Sequence, residues 1–168
     1  MIKRLLLTAV VAVAACQPAA GPLTDADRQA IMDTAAAQSR AMYADLNTRD
    51  MSKIMSHYVA GEFISSENGM TYRNRAAVDS SGRAFWGMLK TINMTKVSDK
   101  VQVVDRDNFV LSSQWHMVAA DSAGHNMDMT GAWVGTFHRT DAGFKIVAES
   151  NSMPGAMPPM PPPARHRS

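Results

Sequence analysis

A single cysteine, Cys16, stands among 168 residues. That excludes an internal disulfide and any cysteine-based metal site, so packing alone must stabilise the fold. Prolines are scarce and confined. Two fall at Pro18 and Pro22, and six of the eight lie between Pro154 and Pro163. No apolar run reaches the roughly 20 residues that a membrane-crossing helix needs. No block of lysine and arginine could track a phosphate backbone. With Lys3, Arg4, Arg165 and Arg167 set aside, 13 of the 17 basic residues remain against 15 acidic ones. This slightly acidic, mixed-sign body argues against a nucleic-acid partner. No stretch of the chain repeats another.

What is present is an ordinary globular composition, 46% hydrophobic and 19% charged. The length suits one domain. The ends differ from the middle. MIKRLLLTAVVAVAAC has a positive start at Lys3 and Arg4, an uncharged apolar run from Leu5 to Ala15, and small residues before the cysteine. Val13-Ala14-Ala15-Cys16 resembles the bacterial lipobox, in which cleavage falls just before the cysteine. The resemblance implies a signal peptide over 1–15 and lipidation at Cys16. Several acyl chains, at about 0.8 kcal/mol per buried CH₂, make a stable membrane anchor. Gln17 follows the cysteine, which in that class points to the outer membrane of the cell envelope, facing the periplasm. Residues 16–23 read as a tether. The Pro- and Met-rich segment 153–168 reads as a disordered tail. The folded domain is then 24–152.

Within it, Thr24-x-x-Asp27 resembles a capping box with Asp in place of Glu. Ile31, Ala35, Met42 and Leu46 recur at helical spacing and predict a helix over 25–46. Asp50 can cap a short second helix bearing Ile54, Met55 and Tyr58. Phe63-Ile64 is a short strand, Asn68-Gly69 a two-residue hairpin turn, and Met70 to Tyr72 the return. A third helix spans 74–91, with Val78, Gly82, Phe85 and Leu89 on one face. Strands follow at 97–104, 109–119, 125–138 and 144–150, separated by Asp/Asn/Gly turns, which predicts an antiparallel meander. The expected class is α+β, with the helices covering one face of the sheet.

Three features carry a family resemblance. The segment ADLNTRDMSKIMSHY is similar to the entry of nuclear transport factor 2-like domains. GAWVGTFHRTDAGFKIVAESNS is similar to the last hairpin of their SnoaL-like branch, with Phe144 where tryptophan is usual. The order helix–helix–hairpin–helix–meander is the third. The resemblance implies a cone of three N-terminal helices on a strongly curved sheet, a pocket at the wide end, and homodimers through the sheet's outer face.

Placing the chain on the ketosteroid isomerases of that superfamily leaves their catalytic roles empty. The base position falls on Ser66, with Glu67 turned to the opposite strand face. The tyrosine position falls on Met42, beside Tyr43, and the acidic donor on Gly135. Period-2 alternation puts Met127, Met129, Gly131, Trp133, Gly135 and Phe137 on the concave side, with Asp128 and His138 outside. His116 and Glu149 are the remaining candidates for acid–base chemistry. Glu149 reads as an exposed strand carboxylate without an acidic or imidazole partner. The expected lining is apolar: Met42, Trp86, Met88, Trp115, Met117, Met129 and Trp133. It suits either plain core or a small apolar ligand. No cofactor is called for. Fourteen methionines allow another chemistry, because His125, Met127 and Met129 could offer an imidazole and two thioethers to Cu(I). A non-catalytic ligand-binding or accessory lipoprotein is the reading that the sequence favours.

Overall fold

The structure is a computed structural model and describes residues 21–67 and 69–153. The expected signal peptide, Cys16, most of the expected tether and the residues beyond Met153 lie outside the described residues.

Helix α1 (Asp25–Thr48) starts where the capping signal stands. The Asp27 backbone N–H donates to Thr24 Oγ1 at 3.1 Å, and the Thr24 N–H donates to the Asp27 carboxylate at 3.0 Å. Two of the four orphan N–H groups at this helix end are thereby satisfied. The buried stripe is Ile31, Ala35, Ser39 and Met42. Helix α2 (Met51–Met55) is capped by Asp50, whose carboxylate accepts from the Ser52 N–H at 2.9 Å. Strands β1 (Ile64–Glu67) and β2 (Met70–Tyr72) form the expected hairpin, with Gly69 at φ +84°. Helix α3 (Arg75–Met88) then leads into β3 (Leu89–Val103), β4 (Asn108–Asp121), β5 (Asn126–Thr140) and β6 (Gly143–Ser152). No helix among the described residues is long and apolar enough to cross a membrane.

The third helix ends three residues earlier than its pattern suggests, and β3 begins eight residues earlier. Leu89 is therefore a strand residue. It pairs with Asp121, and long-range pairing with β4 outweighs the local helical period. Gly82 sits where α3 meets α2, and a Cβ there would overlap the Met51 side chain.

The six strands form one sheet in the order β2-β1-β6-β5-β4-β3. The sheet is mixed, which corrects the all-antiparallel expectation. β1 runs parallel to β6, with Ser65 opposite Glu149 and Glu67 opposite Asn151. A parallel pair needs a long crossover, and here α3 and the meander supply it.

Two register shifts matter for the site. In β3, Lys96 pairs with Trp115 and Ser98 with Gln114, so Val97 is an extra residue. Between β5 and β6, Thr136 pairs with Ala148 and Phe137 with Ile146, so Val147 is another. A bulge reverses which residues of a strand face inward. Before Val97 the inward residues are Ile92 and Met94; after it they are Asp99, Val101 and Val103. Before Val147 they are Phe144 and Ile146; after it Glu149 is turned in.

The core forms two clusters. One lies between α1 and the sheet around Phe109, Leu111, Phe137, Phe144 and Ile146. Phe109 stacks on Phe137 with centroids 4.5 Å apart. The second gathers Met51, Ile54, Met55, Phe63 and Val78 beneath α2 and α3.

Candidate functional site: a carboxyl pair in an aromatic cavity

A cavity of about 150 Å³ lies at the seam between the two clusters. An apolar void of this order accommodates a ligand the size of a small aromatic ring. The sheet contributes Met94, Trp115, Met117 and Trp133, and α1 contributes Met42, Tyr43 and Leu46. Met51, Ile54 and Met55 come from α2, with Tyr58 just beyond it. Helix α3 adds Val78, Ser81, Gly82, Phe85 and Trp86. Glu67, Tyr72, Glu149 and Asn151 complete the polar part of the wall.

The two indoles of the sheet fit because glycines make room for them. Trp115 lies opposite Gly131, and a Cβ on Gly131 would overlap its ring. A Cβ on Gly135 would likewise overlap the ring of Trp133. The Trp115 Nε1–H donates to Asn151 Oδ1 at 3.2 Å. Trp133 is 7% exposed, and its Nε1–H donates to Glu149 Oε2 at 2.8 Å. The Tyr58 hydroxyl donates to the same oxygen, also at 2.8 Å. Two neutral donors thus converge on one carboxylate oxygen, while Oε1 carries no hydrogen bond among the described residues. Burial, reinforced by the Glu149 charge, raises the Tyr58 hydroxyl well above its ordinary pKa, so it remains a donor throughout the physiological range.

Glu67 is the second carboxyl. Burial first, and the Glu149 charge second, push it up to about 7. Two carboxyls in one apolar chamber cannot both ionise cheaply. An acid with a pKa near 7 can accept or give a proton at neutral pH.

A second polar network braces the wall behind Tyr43. Ser39 Oγ and Ser113 Oγ donate to the two oxygens of Asp99, each at 2.7 Å, and Lys96 Nζ lies 2.9 Å from Asp99 Oδ2. Ser113 spends its proton on Asp99, so Tyr43 Oη donates to Ser113 at 2.7 Å. Burial raises Asp99, but hydrogen bonds from Ser39, Ser113 and Lys96 outweigh it and hold the carboxyl below its ordinary value.

The placement of Glu67 corrects the sequence reading. Ser65 and Glu67 face inward, and Ile64 is 54% exposed on the other face. Strand phase is set by the parallel pairing with β6, which no local pattern encodes. Glu149 is likewise not an exposed carboxylate: it is 7% exposed and turned inward by the bulge at Val147. Simple alternation from Phe144 and Ile146 would have put it outside. The Gly-x-Trp-x-Gly run at 131–135, together with Glu149 on the paired strand, is the one signal from which the site could have been found.

His116 is on the outer face of β4, where its Nε2 meets the Asp128 carboxylate at 2.7 Å. It is not part of the cavity wall. Of the residues singled out as lining, Met42, Trp86, Trp115, Met117 and Trp133 border the cavity. Met88 ends α3 and is 40% exposed, and Met129 packs half-buried against the core. Neither borders the cavity. His125 lies in the turn before β5, 2.9 Å from Asp121, while Met127 and Met129 point inward against the core. The structure places the imidazole in solvent and the thioethers in packing.

No family model matches the sequence, and no curated protein matches it. Solved structures do. A proposed scytalone dehydratase from Novosphingobium aromaticivorans aligns with a TM-score of 0.72 and 9% identity over 86% of this chain and all (100%) of that one. Hexachlorocyclohexane dehydrochlorinase LinA-type3 from Novosphingobium barchaimii gives 0.67 and 14% over 81% and 100%. A proposed dehydratase of the NTF2-like family from Streptomyces avermitilis gives 0.67 and 15% over 77% and 99%. The chain therefore has the α+β, cone-like fold of the nuclear transport factor 2-like proteins.

Proposed function

We propose that the domain, of the SnoaL-like kind, binds a small, largely apolar molecule and moves a proton on it, with Glu67 as the acid–base group. The observation that carries this reading is that Glu67 and Glu149 share one apolar cavity. Glu67, with a pKa of about 7, is matched to proton transfer at neutral pH. Glu149, fixed by Tyr58 and Trp133, is the second carboxyl of the pair. Acid and base in one chamber suit an elimination or an isomerisation. Elimination is also the kind of reaction in the names of the dehydratase and dehydrochlorinase neighbours.

A generic substrate tests this without the natural one. 5-Nitrobenzisoxazole is a small aromatic whose ring opens when a base removes one carbon-bound proton. The protein should accelerate the opening over an equal concentration of acetate. The rate should rise with pH through about 7 and then level off. Glu67→Gln should return it to background, a loss of about 10² or more if proton transfer is rate-limiting. An unchanged rate in that variant would remove Glu67 from the role.

The same proposal places the domain at the cell envelope, held by lipid on Cys16, and pairs two copies through the outer face of the sheet. That face exposes Val118 at 44% and Val134 at 40%. One experiment addresses both points. In cells that process lipoproteins, the natural chain should pellet with membranes. Cys16→Ala should leave the membrane's lipid-anchored fraction, and its mature domain should weigh as a dimer by light scattering. A lipid-free natural chain would contradict the anchor; a monomer would contradict the pairing.

A further inference from the structure

The wall of the cavity is unbalanced in charge. It holds two carboxyls, Glu67 and Glu149, and no Lys, Arg or His among the described residues. Neither glutamate takes part in any of the seven ion pairs of the described residues. Glu149 relies on two neutral donors for its compensation, and its Oε1 has none. A buried carboxylate without a cation is costly, and removing that cost is a source of binding energy. The remaining wall is rich in aromatic rings. Trp86, Trp115 and Trp133 border the same space, with Tyr58 and Tyr72 beside them. Indole faces are the strongest partners that protein side chains offer to an organic cation.

We infer that the cavity selects a ligand carrying one positive charge on an apolar body, an alkyl or aryl amine or a quaternary ammonium. The inference rests on the ligand-binding reading above and narrows it to a chemical class. Glu149 Oε1 accepts no hydrogen bond among the described residues and can take the cationic head, in a cavity that Trp86, Trp115 and Trp133 also line. The same imbalance rejects carboxylates and phosphates, because a further negative charge beside Glu149 would find no cationic partner in the wall. Binding should also couple to protonation. Glu67, with a pKa of about 7, lines the same cavity as Glu149 and would feel the incoming cation. The other titratable groups on the wall are the phenols Tyr43, Tyr58 and Tyr72, while α3, β3, β4 and β5 present none. A cation next to Glu67 lowers its pKa, so binding near pH 7 releases a fraction of a proton from that carboxyl.

Three probes of similar size decide the matter by isothermal calorimetry with the folded protein: phenyltrimethylammonium, its uncharged isostere tert-butylbenzene, and benzoate. At pH 8 the cation should bind about tenfold or more tightly than the isostere. Benzoate should bind more weakly than either. The heat measured at pH 7 should differ between phosphate and HEPES buffers by the amount expected for proton release. Glu67→Gln should weaken the cation at pH 8, spare tert-butylbenzene and abolish the buffer dependence. If tert-butylbenzene binds as well as the cation, the charge selectivity is wrong while the ligand-binding reading stands. Tighter binding of benzoate refutes the selectivity in the same way. If none of the three binds, both readings fall.

Discussion

Glu67→Gln should make the protein more stable at pH 8 than the natural chain and leave it nearly unchanged at pH 4. The folded-state pKa of this carboxyl is about 7, above the ordinary value of 4.5. A raised carboxylate pKa means that the folded state holds the proton more tightly than the unfolded chain does. Below about pH 4.5 both states are protonated and Glu67 costs nothing. As pH rises from about 4.5 to about 7, unfolding becomes favoured by ionisation, so stability falls. Above that window the full cost is present. A rise of that size corresponds to about 3 kcal/mol. Glutamine keeps the shape and removes the charge, so most of that cost should disappear. Thermal unfolding should show a gain of roughly 5–10 °C at pH 8 and little at pH 4. Equal melting curves at pH 8 would mean that Glu67 is solvated and not under strain from Glu149. Together with a lost proton-transfer rate, the gain would show a residue kept for chemistry at the expense of stability.

Much of the scaffold behind this site is legible along the chain. Thr24 and Asp27, Asp50, and the Gly69 hairpin are local devices, and each does its work within four residues of itself. The alternation in β4 and β5 sorts Trp115, Met117 and Trp133 from His116 and Asp128 without reference to any other segment. The two carboxyls escape that kind of reading for a shared reason. Both are aimed by pairing between distant strands. The phase of β1 comes from β6, more than eighty residues later, and Glu149 is turned by the extra residue Val147. In both places an acidic side chain that alternation or placement would assign outward is delivered inward. Apolar residues announce their face by repetition, whereas a lone carboxylate has no neighbours of its own kind to set its phase. The termination of α3 escaped for a related reason, since Leu89 fits a helical face but gains more as the first rung of the β3–β4 ladder.

The largest loss should come from Gly135→Val. Glycine in mid-strand ordinarily weakens a sheet, so its presence beside Trp133 needs a packing reason. That reason is the indole, which occupies the space where a Cβ at 135 would stand. The ring cannot simply swing away. Its Nε1–H is bonded to Glu149, and Phe137 stands edge-on to it with centroids 6.1 Å apart. A branched side chain at 135 must either push the indole into the cavity or open the β5–β6 pairing. Overpacking alone costs about 1–3 kcal/mol, and leaving Glu149 short of a buried donor adds about 1–3 more. The expected destabilisation is therefore about 2–6 kcal/mol by denaturant titration, with loss of probe binding in whatever fraction still folds. Gly87→Ala supplies the contrast. Gly87 lies in the last turn of α3 with open space around it, so alanine there should stabilise by about 0.5–1 kcal/mol. If both substitutions had the same small effect, Trp133 would not be seated on Gly135, and the donor that fixes Glu149 would have to be sought elsewhere in the wall.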